Sequence, residues 1–358
     1  MKITLRAMLS SIVCLALLVL VAHSFAAESK PAFNEKAVAD FYKGKTVRII
    51  VGFSAGGGYD AYSRLVGRHL SKYIPGNPNV IVENMAGAGS ILATNHVANV
   101  APKDGTVVGN ISGPIILEQL FGTPAVQFDM AKLRYLAVPV EETYLFIVTK
   151  KPGVARIDEI LGPKGKQVVV GGIPGSTVEH APIIVRDVLG ANIKLVAGYK
   201  GTADVRLAID SGEVEGFFNT WTSSKITSMD KFKSGEWNIL AQLGDEPLPD
   251  LPFPNIPTIP MLAKNDEQRQ LLRYGTSVPN QFGKVYLLAP GVAPDRAMAL
   301  EVAFARAFAD KELLAEAEKG RLEVKPLSAQ RTQKLVSEFL SMSPELKTKL
   351  QKLIHPGK

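Results

Sequence analysis

The segment GFSAG at residues 52–56 matches the G-x-S-x-G pattern that surrounds the nucleophilic serine of many hydrolases. In those enzymes one donor of the oxyanion hole comes from a loop that follows an earlier strand. Here the motif follows the first predicted strand of the mature chain, and three glycines at 56–58 separate Ser54 from the next helix. A serine hydrolase with Ser54 as nucleophile is therefore the alternative interpretation and not the favoured one.

The same glycines suit a second chemistry, the binding of an anion. Glycines before a helix let backbone N–H groups approach a negative charge, which the helix N-terminus also favours. Similar loops occur at Gly87 to Ser90 and at Gly175, Ser176 and Thr177, where hydroxyls add further donors. Each loop alone could simply make a tight turn, but several of them at neighbouring strand ends favour a shared carboxylate site. No G-x-x-x-x-G-K-[ST] motif is present, and the loop from Gly87 to Ser90 lacks the third glycine of the dinucleotide-binding fingerprint. No nucleotide cofactor is therefore expected.

Other chemistry-bearing residues give weaker signals. Glu141 and Glu142 are adjacent, so in an extended chain they point to opposite sides, which favours a solvated loop over an acid–base pair. His180 has no histidine four residues away, so no metal site is expected. The single cysteine, Cys14, excludes a disulfide within the chain and a multi-cysteine cluster.

These motifs lie between alternating strands and helices. Strands are predicted at 46–53, 79–84, 106–112, 167–172, 193–199, 213–219 and 285–290. Helices are predicted at 35–42, 60–73, 91–97, 178–189, 202–210, 294–309 and 311–320, and six prolines between 245 and 260 predict an extended connection. Because the alternation begins twice, we predict an α/β fold of two lobes, each a mostly parallel sheet flanked by helices. Ligands bind beyond the carboxyl ends of such strands.

Length and charge exclude several classes of protein. The 358 residues suffice for about two domains, and the net charge of +7 is spread without a basic stripe, so nucleic acid is not an expected partner.

A signal peptide is predicted over residues 1–26. Its signs are the positive charges of Lys2 and Arg6, an apolar stretch at 12–22 and the small residues around Ala26. An uncleaved anchor is the alternative. The mature protein would be exported to the periplasm without Cys14.

Seven segments occur in an order and spacing shared with a known family: VRIIVGFSAGGGYDAYSRL, VIVENMAGAGS, APKDGTVVG, GIPGSTVEH, GYKGTADVRLAIDSGEVEGFFN, LPFPNIPTI and VYLLAPGVAPD. The chain resembles the periplasmic solute-binding proteins of tripartite tricarboxylate transporters, also called the Bordetella uptake gene family. The resemblance implies a type II periplasmic-binding fold, with lobe 1 over 44–142 and 283–358, lobe 2 over 143–282, and a ligand cleft between them. It implies a receptor without catalysis that delivers a dicarboxylate, tricarboxylate or aromatic acid to membrane transporter subunits. We expect a monomer without cofactor or metal; an exported partner of a sensor protein would bind its ligand in the same way.

The resemblance also assigns roles within the cleft. Asp60 would help to hold bridging waters, and the loop Tyr199-Lys200-Gly201 would face the ligand from lobe 2. Trp221 could be either core or ligand wall, and Tyr59, where the family commonly has threonine, would reshape the mouth of the cleft, so no particular ligand is implied. The predicted ligand-binding residues are Phe53, Ser54, Ala55, Gly56, Gly57, Tyr59, Asp60, Ser112, Gly175, Ser176, Thr177, Tyr199, Gly201, Thr202, Asn219 and Trp221.

Overall fold

Runs of β-branched and aromatic residues form eleven strands in residues 33–357, the part of the chain that the computed structural model describes. The predicted signal peptide and Cys14 lie outside the described residues. The strands are β1 (Thr46–Val51), β2 (Asn79–Asn84), β3 (Val107–Ser112), β4 (Arg134–Val138), β5 (Tyr144–Thr149), β6 (Val168–Gly172), β7 (Ile193–Ala197), β8 (Gly216–Thr220), β9 (Trp237–Gln242), β10 (Lys284–Leu288) and β11 (Leu327–Ser328).

Helices cover both sheets, and their apolar faces supply the core. They are α1 (Glu35–Tyr42), α2 (Gly58–Leu70), α3 (Ile91–Asn95), α4 (Ile116–Leu120), α5 (Thr177–Leu189), α6 (Thr202–Asp210), α7 (Trp221–Thr227), α8 (Met229–Lys233), α9 (Asp266–Leu272), α10 (Pro294–Phe308), α11 (Lys311–Lys319), α12 (Ala329–Leu340) and α13 (Pro344–Ile354). None of these described helices is both long enough and apolar enough to cross a membrane.

The strands form two separate sheets. The first has the order β11-β4-β10-β3-β1-β2 and the second the order β7-β6-β8-β5-β9. In the first sheet β10 is antiparallel to β3 and β4, and in the second β5 is antiparallel to β8 and β9. The other strands, apart from the short β11, share one direction within their sheet. The prediction of two lobes with mostly parallel sheets is therefore confirmed, although the reversed strands make both sheets mixed.

Two segments connect the lobes and lie side by side. One joins β4 to β5 and the other ends at β10, and Glu142 N donates to Asn280 O at 3.3 Å between them. The predicted lobe boundaries at 142 and 283 fall in these segments and stay a prediction. The last helix, α13, packs against α5 and α9 beside the second sheet.

The elements with strong periodicity were predicted within a few residues. Helix α2 begins at Gly58 and not at Asp60, and the strand predicted at 193–199 ends at Ala197. The sequence interpretation did not include β4, β5, β9, β11, α4, α7, α8, α9, α12 or α13. Strands β5 and β9 are buried at all but one residue each, so they lack the alternation that marks a half-exposed strand.

Candidate ligand cleft between the lobes

The loop between β1 and α2 is braced by Asp60. One carboxylate oxygen accepts hydrogen bonds from Gly56 N and Arg64 Nε, both at 3.0 Å, and the other accepts from Asn84 Nδ2 at 3.1 Å. Burial raises the pKa of Asp60, but the hydrogen bonds from Arg64, Gly56 and Asn84 outweigh it, so the pKa lies below its usual value. Asp60 is thus an ionised brace for the glycine loop, and its role in holding bridging waters stays a prediction.

The predicted carboxylate turn of the second lobe begins helix α5. Ser176 is the N-cap, with Oγ accepting from Val178 N at 3.2 Å and donating to Ile173 O at 2.8 Å. Thr177 Oγ1 lies 2.9 Å from Asn280 Oδ1 and donates to it. Both hydroxyl protons are therefore engaged within the protein, so direct donation to a ligand would require these bonds to exchange.

The two lobes touch directly at the outer edge of the cleft. Ser54 Oγ of the first lobe donates to Asp204 Oδ2 of α6 at 2.9 Å. Arg206, two residues further along α6, donates from Nη2 to the Gly56 carbonyl at 2.9 Å. These bonds join the β1–α2 loop to the second lobe, so the structure shows a closed arrangement of the cleft.

Two glycines make this closure sterically possible. A Cβ on Gly201 would overlap Ser54 Oγ, and a Cβ on Gly89 would lie 2.5 Å from the backbone carbonyl of Gly175 across the cleft. Glycine is thus required here for the close approach of the lobes, in addition to any approach to a ligand. The predicted residues found in or beside these contacts are Ser54, Gly56, Gly57, Gly175, Gly201 and Thr202, with Ala55 exposed on the same loop.

Tyr59 lies at the floor of the cleft and not at its mouth. Its hydroxyl donates to Gly283 O in the segment between the lobes at 2.7 Å, and its ring packs on Phe53 with centroids 4.3 Å apart. Burial raises the pKa of Tyr59 well above its usual value, so the phenol stays protonated as a donor. The buried hydroxyl of Ser112, on the neighbouring β3, has no hydrogen-bond partner among the described residues.

Three predicted residues make their hydrogen bonds within the second lobe. Trp221 is 3% exposed and packs edge-on against Phe232 and Phe253, which favours the core interpretation over a ligand wall. The hydrogen bonds are Tyr199 Oη to Glu213 Oε1 at 2.8 Å, Asn219 Nδ2 to Ser224 Oγ at 3.1 Å, and Trp221 Nε1 to Asp250 Oδ2 at 3.2 Å.

A buried ion pair at the floor of the cleft was missed. Lys284 Nζ contacts Glu142 Oε1, and both side chains are 1% exposed. Thr222 Oγ1 reaches the two oxygens of Glu142 at 2.7 and 2.8 Å and donates to that carboxylate. The expectation of a solvated loop is therefore wrong for Glu142, whereas Glu141 is exposed. The sequence signal for this pair was Lys284, a charged residue directly before the apolar strand predicted from residue 285.

A second missed cluster lies where the two lobes and the C-terminus meet. Glu118 of α4 is paired at 2.8 Å with His180 Nε2 of α5 and at 3.0 Å with His355 Nε2. Thr123 Oγ1 also donates to Glu118. Burial raises the pKa of Glu118, but the bonds to the histidines and Thr123 outweigh it and lower the pKa to about 2. These residues are far apart in the chain, so no local pattern could have revealed them.

In the described part of the chain, no histidine is hydrogen-bonded to Ser54 as the hydrolase alternative would require. The hydroxyl of Ser54 donates to Asp204, and none of the histidines within residues 33–357 forms a hydrogen bond with it.

One group of possible metal ligands, His69, Asp310 and Glu312, lies away from the cleft, with ligand atoms within 4.8 Å of one another. Lys72 pairs with both of those carboxylates, so one of their two negative charges is compensated within the protein.

Comparison with known proteins agrees with this geometry. The sequence profile described as "Tripartite tricarboxylate transporter family receptor" (TctC) matches residues 63–351. A "UPF0065 protein in gbd 5'region" of Cupriavidus necator is 26% identical over 253 residues, which cover 68% of this chain and 72% of that protein.

Solved structures share the fold at low sequence identity. The periplasmic binding protein BugD superposes with a TM-score of 0.69 at 18% identity, covering 87% of this chain and 98% of its own. MatC from Rhodopseudomonas palustris, with bound malate, gives 0.64 at 17% identity, covering 87% and 99%. A second R. palustris protein, with adipate, gives 0.66 at 20% identity, covering 87% and 97%. The two-lobed α/β architecture is thus that of type II periplasmic binding proteins.

Proposed function

The chain belongs to the tripartite tricarboxylate transporter receptor family, and we propose from this that it binds a small carboxylate in the periplasm and delivers it to membrane transporter subunits. The ligand class comprises dicarboxylates, tricarboxylates and aromatic acids. Two relatives in fold were solved with malate and adipate, which supports an acid with two carboxylates as the first choice. The receptor would act as a monomer without a cofactor.

The closed cleft is the observation that carries the proposal. Ser54 and Gly56 of one lobe bond to Asp204 and Arg206 of the other, so closure forms contacts that an open receptor lacks. A ligand that touches both lobes favours the closed state by its differential affinity for that state. A membrane partner can then distinguish loaded from empty receptor by shape alone.

Thermal unfolding with a panel of acids tests the ligand class. We expect malate, adipate, citrate or benzoate to raise the melting temperature by several degrees, because a ligand that binds the native state stabilises it by about 2.7 kcal/mol at a hundred times Kd. Native mass spectrometry of the purified protein should show a co-purifying small acid. If no carboxylate raises the melting temperature and none co-purifies, the proposed ligand class is wrong.

Ser54→Ala separates the receptor from a hydrolase. We expect wild-type protein to hydrolyse p-nitrophenyl acetate no faster than buffer, and the variant to behave identically. Loss of the bond from Ser54 to Asp204 should weaken the closed state, so carboxylate affinity should fall about 3- to 10-fold, as for one hydrogen bond of about 1 kcal/mol. Ser341→Ala, at an exposed serine, is the matched control. An esterase activity that disappears in Ser54→Ala would instead support the hydrolase.

Uptake experiments identify the protein partner. Deletion of the gene should abolish uptake of the bound acid if the receptor serves a transporter. Unchanged uptake together with loss of a transcriptional response to the acid would point to a sensor partner.

A further inference from the structure

The buried pair of Lys284 and Glu142 puts a positive charge beside the N-terminus of α2. Both residues lie in or next to the segments that join the lobes, and Lys284 is the first residue of β10. Lys284 Nζ also faces the rings of Tyr59 and Tyr62, whose centroids lie 5.1 and 5.5 Å away. An ammonium has three N–H donors, and Nζ contacts Glu142 and lies 3.5 Å from Thr222 Oγ1, so one donor has no hydrogen-bond partner within residues 33–357.

Two buried serines lie near the Lys284 side chain. Ser112 is paired with Lys284 across β3 and β10, so the two side chains share one face of the sheet. A Cβ on Gly58 would lie 3.1 Å from both Lys284 Cε and Ser223 Cβ, so these residues meet at the N-terminus of α2. The hydroxyls of Ser112 and Ser223 are buried and have no hydrogen-bond partner within residues 33–357.

A cation, two buried hydroxyls and a helix N-terminus that lie near one another have the chemistry that an anion site requires. At present the carboxylate of Glu142 supplies the anion, held also by Thr222. Burial lowers the pKa of Lys284, so the ammonium requires a carboxylate beside it to remain charged.

We propose that Lys284 is the cationic anchor for a carboxylate of the ligand, and that Glu142 occupies this anchor while the receptor is empty. The inference rests on the proposed function, since it assigns one residue to the ligand's charge. It predicts that ligands with an ionised carboxylate are preferred over their amides and esters, because only a carboxylate can replace Glu142 beside Lys284.

Chemical rescue by acetate tests the anchor without knowledge of the natural ligand. Glu142→Ala leaves Lys284 unpaired, and we expect acetate to raise the melting temperature of this variant by about 3 °C or more relative to chloride at equal ionic strength. The exposed Glu141→Ala variant and wild-type protein should show no such difference. The double variant Lys284→Met/Glu142→Ala should lose the effect, because the cation is gone. Equal melting temperatures of Glu142→Ala in acetate and in chloride would overturn the inference.

Glu142→Gln provides the second measurement if Glu142→Ala fails to fold. This near-isosteric change should increase the affinity for malate or adipate about 10-fold in calorimetry, because the ligand no longer competes with an internal carboxylate. Lys284→Met/Glu142→Gln should bind at least about 10-fold more weakly than Glu142→Gln. Equal affinities of wild type and Glu142→Gln would contradict the inference. If wild-type protein binds no acid while acetate still rescues Glu142→Ala, the proposed function fails and the anion site at Lys284 stands.

Discussion

Gly89→Ala is expected to reduce carboxylate affinity about 100-fold while the protein remains folded. The added Cβ would lie 2.5 Å from the carbonyl group of Gly175, a backbone group that cannot move aside without separating the lobes. A cleft that cannot close loses one or two charge-assisted hydrogen bonds to the ligand, each worth about 1.5 to 3 kcal/mol. Calorimetry measures the affinity, and small-angle scattering should show no compaction of the variant when the acid is added.

Gly122→Ala is the matched control for this prediction. Gly122 has a φ of +68°, close to the +60° of Gly89, but its added Cβ would have no neighbour within 4 Å. Both substitutions carry the strain of a left-handed backbone, which costs about 1 kcal/mol of stability. Only Gly89→Ala should also lose affinity, so equal affinities of the two variants would show that the lobes do not close at this point.

Glu118→Gln should lower the free energy of unfolding by about 3 kcal/mol at neutral pH. The pKa of Glu118 is about 2 in the folded protein against 4.5 for a free glutamate, and one unit corresponds to about 1.4 kcal/mol. The loss should appear in thermal unfolding as a decrease of about 5 °C in melting temperature. Glu141→Gln, at an exposed glutamate, should leave the melting temperature within a degree of wild type.

The pH dependence gives the sign of this contribution. A carboxyl group whose pKa is lowered on folding stabilises the protein fully above its usual pKa and loses this effect as the pH falls toward the folded value. Wild-type protein should therefore lose about 3 kcal/mol more than Glu118→Gln between pH 5 and pH 2. Parallel pH profiles would contradict a charged Glu118 in the folded state.

Much of the fold followed from local patterns. Segments such as 79–84 and 202–210 combine a clear period with capping or turn residues, so their bounds agree with the structure. Strands β5 and β9 were absent from the prediction because their burial is decided by partners far away in the chain. The helices after residue 320 were also absent, although both are amphipathic and begin after a serine N-cap, so a local signal for them was available. The reversed direction of β10 could not be predicted, since a strand sequence carries no sign of the direction of its neighbours.

The candidate site divides in the same way. The glycine loops and their positions after strands β1, β2 and β6 could be read from the sequence, because the φ values and close approaches needed there exclude most side chains. The folded structure was needed to show that Gly89 faces Gly175, that Ser54 meets Asp204, and that Lys284 is buried against Glu142. Those pairs are 86, 150 and 142 residues apart, and their contacts depend on how two lobes close around a pair of connecting segments. Sequence patterns report the backbone conformation of each loop, whereas the placement of charge in the cleft is a property of the closed pair of lobes.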